Sequence, residues 1–199
     1  MRLFVVFINY LLRSKNAAAQ YNDFMLYFIR HGQSQANIDR VFAGIRFSAP
    51  LTEIGIQQAE EVGQRLVTER IRIDQIVASP LERALHTARI IAQVIDIDPD
   101  DVRVDDRLAE YDMGELSGRP VAGVTPSQKV LAPGAEDPKA FQERVNSAVN
   151  AASLLAGNTL IVSHAGVARM LEATKQDLAP ERFYELKGYT NAQAFELDL

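Results

Sequence analysis

The stretch MLYFIRHGQSQAN, residues 25–37, decides the architecture of this chain. Its first five residues are apolar and rich in aromatic side chains, which is typical of a short buried strand. Arg30 and His31 follow directly where that strand ends. A second stretch, TLIVSHAG at 159–166, has the same layout, with His164 placed after an uninterrupted apolar run. Two strands that end in the same residue types predict a sheet with a functional edge.

Strand and helix patterns alternate along the rest of the chain. Further strands are predicted at 75–79, 102–104 and 192–197, and amphipathic helices at 56–67, 81–95 and 141–155. This alternation predicts an α/β fold, a three-layer sandwich in which helices flank a mostly parallel central sheet. A segment around 111–138 that is rich in proline and glycine is predicted to be a short lid without regular structure.

The composition excludes several classes of function. The 199 residues are 47% hydrophobic and 24% charged, which is ordinary for one globular domain and argues against disorder. The absence of cysteine excludes disulfides, thiolate metal sites and cysteine nucleophiles. The net charge of −5 argues against a nucleic-acid partner, so an anionic ligand would need a local group of cations. The P-loop, the dinucleotide-binding glycine motif, the zinc-protease motif and the serine-hydrolase elbow are all missing.

The first 24 residues read differently from the rest. An apolar run of about ten residues, too short to span a bilayer, precedes a polar segment, so no stable membrane insertion is expected. Ala17 and Ala19 offer a signal-peptide cleavage site, which keeps secretion open as an alternative. Two positive charges lie where a signal peptide is neutral, however. We therefore expect 1–24 to be a dispensable tail or a mis-assigned start, and 25–199 to be one cytoplasmic domain.

Cationic residues gather at the predicted strand ends. Arg30 and His31 follow the first strand, Arg83 lies one turn into the helix after 75–79, and His164 follows 159–163. Because the carboxyl ends of parallel strands meet at one edge, these side chains are expected to converge. Any one of these residues by itself would more often have a structural role than a functional one. Several like charges buried together, however, are unfavourable unless an anion neutralises them. The arrangement predicts an anion-binding site.

Six motifs, in order along the chain, resemble those of the histidine phosphatase superfamily in its phosphoglycerate mutase-like branch. They are RHGQSQAN (30–37), PLTEIGIQQA (50–59), SPLERALHTA (79–88), LAEYDMGELSG (108–118), PGAEDPKAFQERV (133–145) and VSHAG (162–166). The resemblance covers 25–199. The R-H-G-x-R-x-P pattern of the acid phosphatase and phytase branch is absent.

The resemblance implies a role for each matching residue. His31 would be the nucleophile that becomes phosphorylated, and Glu110 the proton donor. The phosphoryl group would be held by Arg30, Arg83 and His164, with Gln33 and Asn37 near the pocket. Glu136 and Arg144 match a motif beside the lid without an assigned chemical role, and a structural salt bridge is at least as good an interpretation of them.

The function that the resemblance implies is metal-independent hydrolysis of a small phosphorylated metabolite, without a cofactor. Two arginines would keep the imidazole of His31 neutral and complement the oxygens of a loose transition state. Glu110, if burial raised its pKa, would protonate the leaving alkoxide and then activate water.

Two alternatives stay open, a phosphoglycerate-type mutase and a weakly catalytic phospho-ligand binder. Mutases of this family carry a long insertion where this chain has only the fourteen residues 119–132, which favours the hydrolase. Lid residues such as Tyr111, Met113 and Lys129 are expected to choose the substrate. A homodimer is left open.

Overall fold

The computed structural model describes residues 24–197, and within them five strands form one sheet in the order β3-β2-β4-β1-β5. The strands are β1 (Leu26–Arg30), β2 (Gln75–Ala78), β3 (Arg103–Val104), β4 (Thr159–Ser163) and β5 (Ala194–Glu196). Neighbours pair in parallel except β5, which runs antiparallel to β1. The predicted α/β fold with a mostly parallel sheet is confirmed. The expectation for the tail at 1–24 lies outside the described residues, apart from Phe24.

Helices cover both faces of this sheet. They are α1 (Gln35–Asp39), α2 (Glu53–Thr68), α3 (Glu82–Val94), α4 (Pro126–Val130), α5 (Pro138–Ser153) and α6 (Ala165–Lys175). On β4, Leu160 and Val162 pack with α2 and α3, whereas Ile161 packs with α5 and α6. Because successive strand residues point to opposite faces, an uninterrupted apolar strand requires cover on both sides. That requirement produces the three layers.

Local sequence signals set the helix ends. The Thr52 side chain accepts a hydrogen bond from the backbone N–H of Gly55 at 3.1 Å and so caps α2. The helices predicted at 81–95 and 141–155 are observed one to three residues away, as α3 and α5. No helix within 24–197 has the length and apolar character needed to cross a membrane.

The lid differs from its prediction as unstructured chain, because it contains α4. The Thr125 hydroxyl accepts from the backbone N–H of Gln128, and the Gln128 side chain accepts from the backbone N–H of Thr125. This capping box, together with Pro126 in the first turn, starts a short helix where proline content alone favours a loop. Val130 is buried and joins the core on the α5 and α6 side of the sheet.

The three central strands place the strand-end residues at one edge of the sheet. Arg30 lies beside Ser163, and the backbone N–H of His31 donates to the Ser163 carbonyl at 2.9 Å. On the other side of β4, the Ser79 N–H donates to the Val162 carbonyl at 3.0 Å. The edge formed by β2, β4 and β1 therefore carries the candidate site.

Candidate active site

His31 follows β1 and is nearly buried, with 4% of its surface exposed. Its Nδ1–H donates to the carbonyl of Gly32 at 2.7 Å. A neutral imidazole has one N–H, so Nε2 carries the lone pair. The Nε–H of Arg83 donates to that atom at 3.3 Å. The nucleophilic face of the ring therefore lies against a guanidinium group.

The charge state of His31 follows from its surroundings. Burial lowers its pKa well below the ordinary value, and the positive charges of Arg83 and Arg30 lower it further. The hydrogen bond to Gly32 acts in the opposite direction and is the weaker effect. The imidazole is therefore neutral at physiological pH, as a nitrogen nucleophile must be.

His164 is fully buried beside His31, with 5.2 Å between the ring centroids. Its Nε2 lies 2.7 Å from the Ser79 hydroxyl oxygen, which itself accepts the N–H of Leu81 at 3.3 Å. The Ser79 proton is thus free to bond Nε2, which places the ring proton of His164 on Nδ1. That Nδ1 is buried and has no partner among the described residues, and His164 is not among the residues that line the cavity described below. Burial, followed by the charge of Arg83, lowers the pKa of His164 well below its ordinary value.

Arg30 and Arg83 supply permanent positive charge. Arg30 donates to the Tyr189 carbonyl through Nη1, while its Nε is buried and has no partner within 24–197. Burial lowers the pKa of Arg30 to about 10, so the group stays charged at neutral pH. Arg83, which is 3% exposed, is anchored through Nη2 on the Gly44 carbonyl at 2.9 Å. A phosphoryl oxygen matches the unsatisfied Arg30 Nε–H.

Asn37 lines the same cavity, as predicted from its motif. Its Oδ1 accepts from the backbone N–H of Ser34 and from the Asn191 side-chain amide, both at 3.0 Å. These bonds assign the amide orientation and leave its nitrogen available as a donor. The same Asn191 amide also donates to the carbonyls of His31 and Gly32 at 3.0 and 3.1 Å, which fixes the end of β1.

Gln33 departs from its prediction as a residue near the pocket. Its side-chain oxygen accepts the Thr52 hydroxyl at 3.0 Å, and Gln33 does not line the cavity. Thr52 is the residue that caps α2. The Gln33 side chain therefore connects the segment after β1 to the start of α2.

Glu110 is held at the cavity by two backbone donors. The N–H of Tyr111 bonds Oε1 at 2.8 Å, and the N–H of Gly166 bonds Oε2 at 3.1 Å. A Cβ at position 166 would lie 2.1 Å from Oε1. This close approach explains why position 166, in the first turn of α6, is glycine.

Arg144 and Glu136 form the ion pair that sequence reasoning left without a chemical role. Arg144 Nε and Nη2 bind the two carboxylate oxygens of Glu136 at 2.7 and 2.9 Å. The same guanidinium donates to the carbonyls of Arg107 and Ala109 at 2.7 Å and of Glu110 at 3.0 Å. The pair therefore fixes the chain segment that carries the catalytic-acid candidate.

The site opens into a cavity of about 300 Å³. Met113 and Lys129 line it, as expected for substrate-choosing lid residues. Tyr111 does not, because its ring is fully buried against Phe141 and its hydroxyl donates to the Glu136 carbonyl. Within 24–197, no three His, Cys, Asp or Glu side chains converge as a metal site.

Sequence reasoning missed several residues of the cavity wall. Among them are Phe42, Arg169 and Tyr184. Arg169 lies five residues after His164 on α6, and this spacing after a strand-end histidine is the signal that could have identified it. No local sequence pattern identifies Phe42 or Tyr184. Phe42 reaches the cavity from irregular chain, and Tyr184 reaches it from a short 3-10 helix (Pro180–Glu185).

Comparison with known proteins matches this geometry to a family. The profile of the histidine phosphatase superfamily (branch 1) matches residues 26–199. A Salmonella choleraesuis protein named "Probable phosphoglycerate mutase GpmB" is 34% identical over 153 residues, covering 70% of this chain and 68% of that protein.

Two solved structures share the fold along most of their length. The alpha-ribazole phosphatase from Shigella flexneri has 27% identity and a TM-score of 0.72, covering 88% of this chain and 91% of that one. Bacillus stearothermophilus YhfR has 28% identity and a TM-score of 0.71, covering 85% and 87%. The chain therefore belongs to branch 1 of the histidine phosphatase superfamily.

Proposed function

We propose that this chain hydrolyses a small phosphorylated metabolite through a phosphohistidine formed on His31, without a metal ion. The observation that carries the proposal is the unprotonated Nε2 of His31, fixed by the Nδ1–H bond to Gly32 and placed 3.3 Å from Arg83 Nε. A covalent route divides a very slow displacement into two faster ones.

The first step transfers the phosphoryl group to the protein. Nε2 of His31 forms a bond to phosphorus as the P–O ester bond breaks, and a protonated Glu110 gives its proton to the leaving alkoxide. In the second step water attacks phosphorus, Glu110 takes its proton, and the P–N bond breaks to release inorganic phosphate. Glu110 suits both roles because its carboxylate is held at the cavity wall by backbone donors on two different segments.

The phosphoryl oxygens have donors that lack another partner in the described part of the chain. At the cavity these are Arg30 Nε and the Asn37 amide nitrogen, with the Arg83 guanidinium beside the nucleophile; His164 Nδ1 lies buried on the ring next to that of His31. Fixed positive charge of this kind stabilises the equatorial oxygens of a loose transition state.

The lid bears on whether water or substrate accepts the phosphoryl group. A mutase must keep water from its phosphoenzyme while the substrate reorients. Here residues 119–123 are exposed, and a side chain placed at Gly123 would meet no atom within 4 Å. This open lid supports hydrolysis. Mutase-type transfer stays the second candidate because the Salmonella relative is named a phosphoglycerate mutase.

Rapid quench with labelled phosphomonoester tests the proposal. Acid-labile, base-stable label should appear on the peptide that contains His31, and His31→Ala should carry none. In the same preparation, release of inorganic phosphate should exceed interconversion of 2- and 3-phosphoglycerate. Full activity in His31→Ala would refute the phosphohistidine, and faster interconversion would make the chain a mutase.

A further inference from the structure

Asn191, three residues before β5, does not line the cavity and has no part in the proposed phosphoryl transfer. Its side-chain amide nitrogen nevertheless lies within hydrogen-bonding distance of three oxygens that belong to the site. These oxygens are the carbonyls of His31 and Gly32, at 3.0 and 3.1 Å, and Oδ1 of Asn37, at 3.0 Å. One side chain therefore contacts both the nucleophile segment and a phosphoryl donor.

Two of these oxygens orient a functional group. The Gly32 carbonyl also accepts the Nδ1–H of His31 at 2.7 Å, and this bond leaves the lone pair of the ring on Nε2. Oδ1 of Asn37 also accepts the backbone N–H of Ser34 at 3.0 Å, so the nitrogen is the end of that amide left for a phosphoryl oxygen. A change at Asn191 should therefore reach the nucleophile and the donor together.

The turn that carries Asn191 is held by other groups. Oε1 of Gln193 accepts the backbone N–H and the hydroxyl of Thr190 at 3.0 and 3.1 Å. Ala192 has a φ of 54°, in the left-handed region that residues other than glycine seldom adopt. Its N–H donates to the Arg30 carbonyl at 3.0 Å, and such contacts keep an unfavourable backbone conformation in place. The Asn191 amide nitrogen is thus not needed to shape its own turn, and its bonds go to the site.

The three acceptors require a hydrogen-bond donor at position 191. The amide nitrogen of asparagine carries two hydrogens, which the three oxygens share. Alanine would remove both hydrogens. Aspartate has nearly the same shape as asparagine, but when ionised it offers only oxygens, which would face two carbonyls and Oδ1 of Asn37. The two substitutions therefore separate loss of the donor from its replacement by an acceptor.

We propose that Asn191 is a positioning residue for phosphoryl transfer. Through the Gly32 carbonyl it holds His31 with its lone pair on Nε2, and through Oδ1 it holds Asn37 with its nitrogen available to the phosphoryl group. This inference rests on the proposed function for the identity of the reaction. It gives the segment before β5 a direct effect on catalysis, although it lies about 160 residues from the nucleophile.

Steady-state kinetics with p-nitrophenyl phosphate give the first test. Asn191→Ala should lower kcat/KM about tenfold, which corresponds to the loss of one well-placed hydrogen bond. The loss should be divided between a lower kcat, through His31, and a higher KM, through Asn37. Asn191→Asp should lower kcat/KM about 10²-fold, because its carboxylate leaves three acceptors unsatisfied and facing another acceptor.

Binding of inorganic phosphate, measured by calorimetry, gives a readout that a general loosening of the fold would not produce. Asn191→Ala should weaken phosphate binding about fivefold in the otherwise unmutated protein and less than about twofold in Asn37→Ala, because the effect on affinity passes through Asn37. Rapid quench should still show slower phosphorylation of His31 in the double variant than in Asn37→Ala. If the protein interconverts phosphoglycerates faster than it releases phosphate, the proposed function fails, whereas this pattern of phosphate affinities still supports the role of Asn191.

Asn158 provides a matched control at the opposite edge of the sheet, directly before β4. It is half-buried like Asn191, and its amide nitrogen donates to the Arg72 carbonyl at 2.7 Å. Asn158→Ala should lower the midpoint of thermal unfolding and leave kcat, KM and phosphate affinity unchanged. Unchanged kcat/KM in Asn191→Ala, or a loss of phosphate affinity as large in Asn37→Ala as in the otherwise unmutated protein, would overturn the proposal.

Discussion

The position of Glu110 should depend on the missing side chain of Gly166. In Gly166→Ala the new Cβ would start 2.1 Å from Glu110 Oε1, where contacts closer than 3.0 Å essentially never occur. The carboxylate must therefore move by about 1 Å, because it is the flexible end of a side chain whereas Gly166 is fixed in the first turn of α6. Alanine suits a helix better than glycine by up to about 1 kcal/mol, so α6 itself should not weaken.

The kinetic effect follows from that displacement. General acid–base catalysis is worth about 10²–10⁴-fold, and a shift of about 1 Å can cost about 10²-fold. We expect kcat/KM for an alkyl phosphate to fall about 10²-fold in Gly166→Ala. For p-nitrophenyl phosphate, whose leaving group needs little protonation, it should fall less than about fivefold. Release of inorganic phosphate measures kcat/KM for both esters. Thermal unfolding of Gly166→Ala should show no loss of stability.

A double-mutant cycle tests whether the effect passes through Glu110. Glu110→Gln alone should show the same contrast between alkyl and aryl esters, and adding Gly166→Ala should slow it little further. If Gly166→Ala slows both ester types equally, or if its effect persists at full size in the Glu110→Gln protein, the effect does not pass through Glu110. Equal losses for the two ester types in Glu110→Gln itself would show that Glu110 is not the proton donor.

Two other predictions concern the histidines and the residues beside the pocket. Because burial lowers the folded-state pKa of His31 and His164, the unfolded chain binds more protons below pH 6.5, and the free energy of unfolding should fall as pH drops from 7 to 5.5. Each histidine contributes up to about 1.4 kcal/mol per pH unit to the dependence of the unfolding free energy on pH. Urea unfolding should therefore show a weaker pH dependence in His31→Gln than in the unmutated protein, whereas the exposed control His86→Gln should show no such change. The same pH dependence in His31→Gln and in the unmutated protein would contradict a buried neutral His31. Asn37→Ala should raise KM about tenfold through a lost phosphate donor, whereas Gln33→Ala should lower stability and leave KM unchanged. A rise in KM for Gln33→Ala as large as that for Asn37→Ala would show that Gln33 does contact substrate.

The sequence determined the fold class because hydrophobic periodicity is a local property. The runs at 25–29 and 159–163 are apolar without interruption, which requires cover on both faces, and the residues that end them must meet at one edge of a parallel sheet. His31, Arg30 and His164 could therefore be grouped from the sequence. The capping box at Thr125 is also a local signal, but the proline content of the segment led to the prediction of a loop where α4 forms.

Only the tertiary structure decided which side chains complete the site, since their partners are far apart in the chain. Asn191 donates to the carbonyls of His31 and Gly32, which lie 160 and 159 residues away in the chain. Arg144 donates to the carbonyl of Glu110. The sequence likewise shows that Lys129 and Arg169 are cations, but not that they face the same Tyr184 ring. Periodicity reports which face of an element is buried, whereas a hydrogen bond or a shared ring depends on the packing of elements that no local pattern relates.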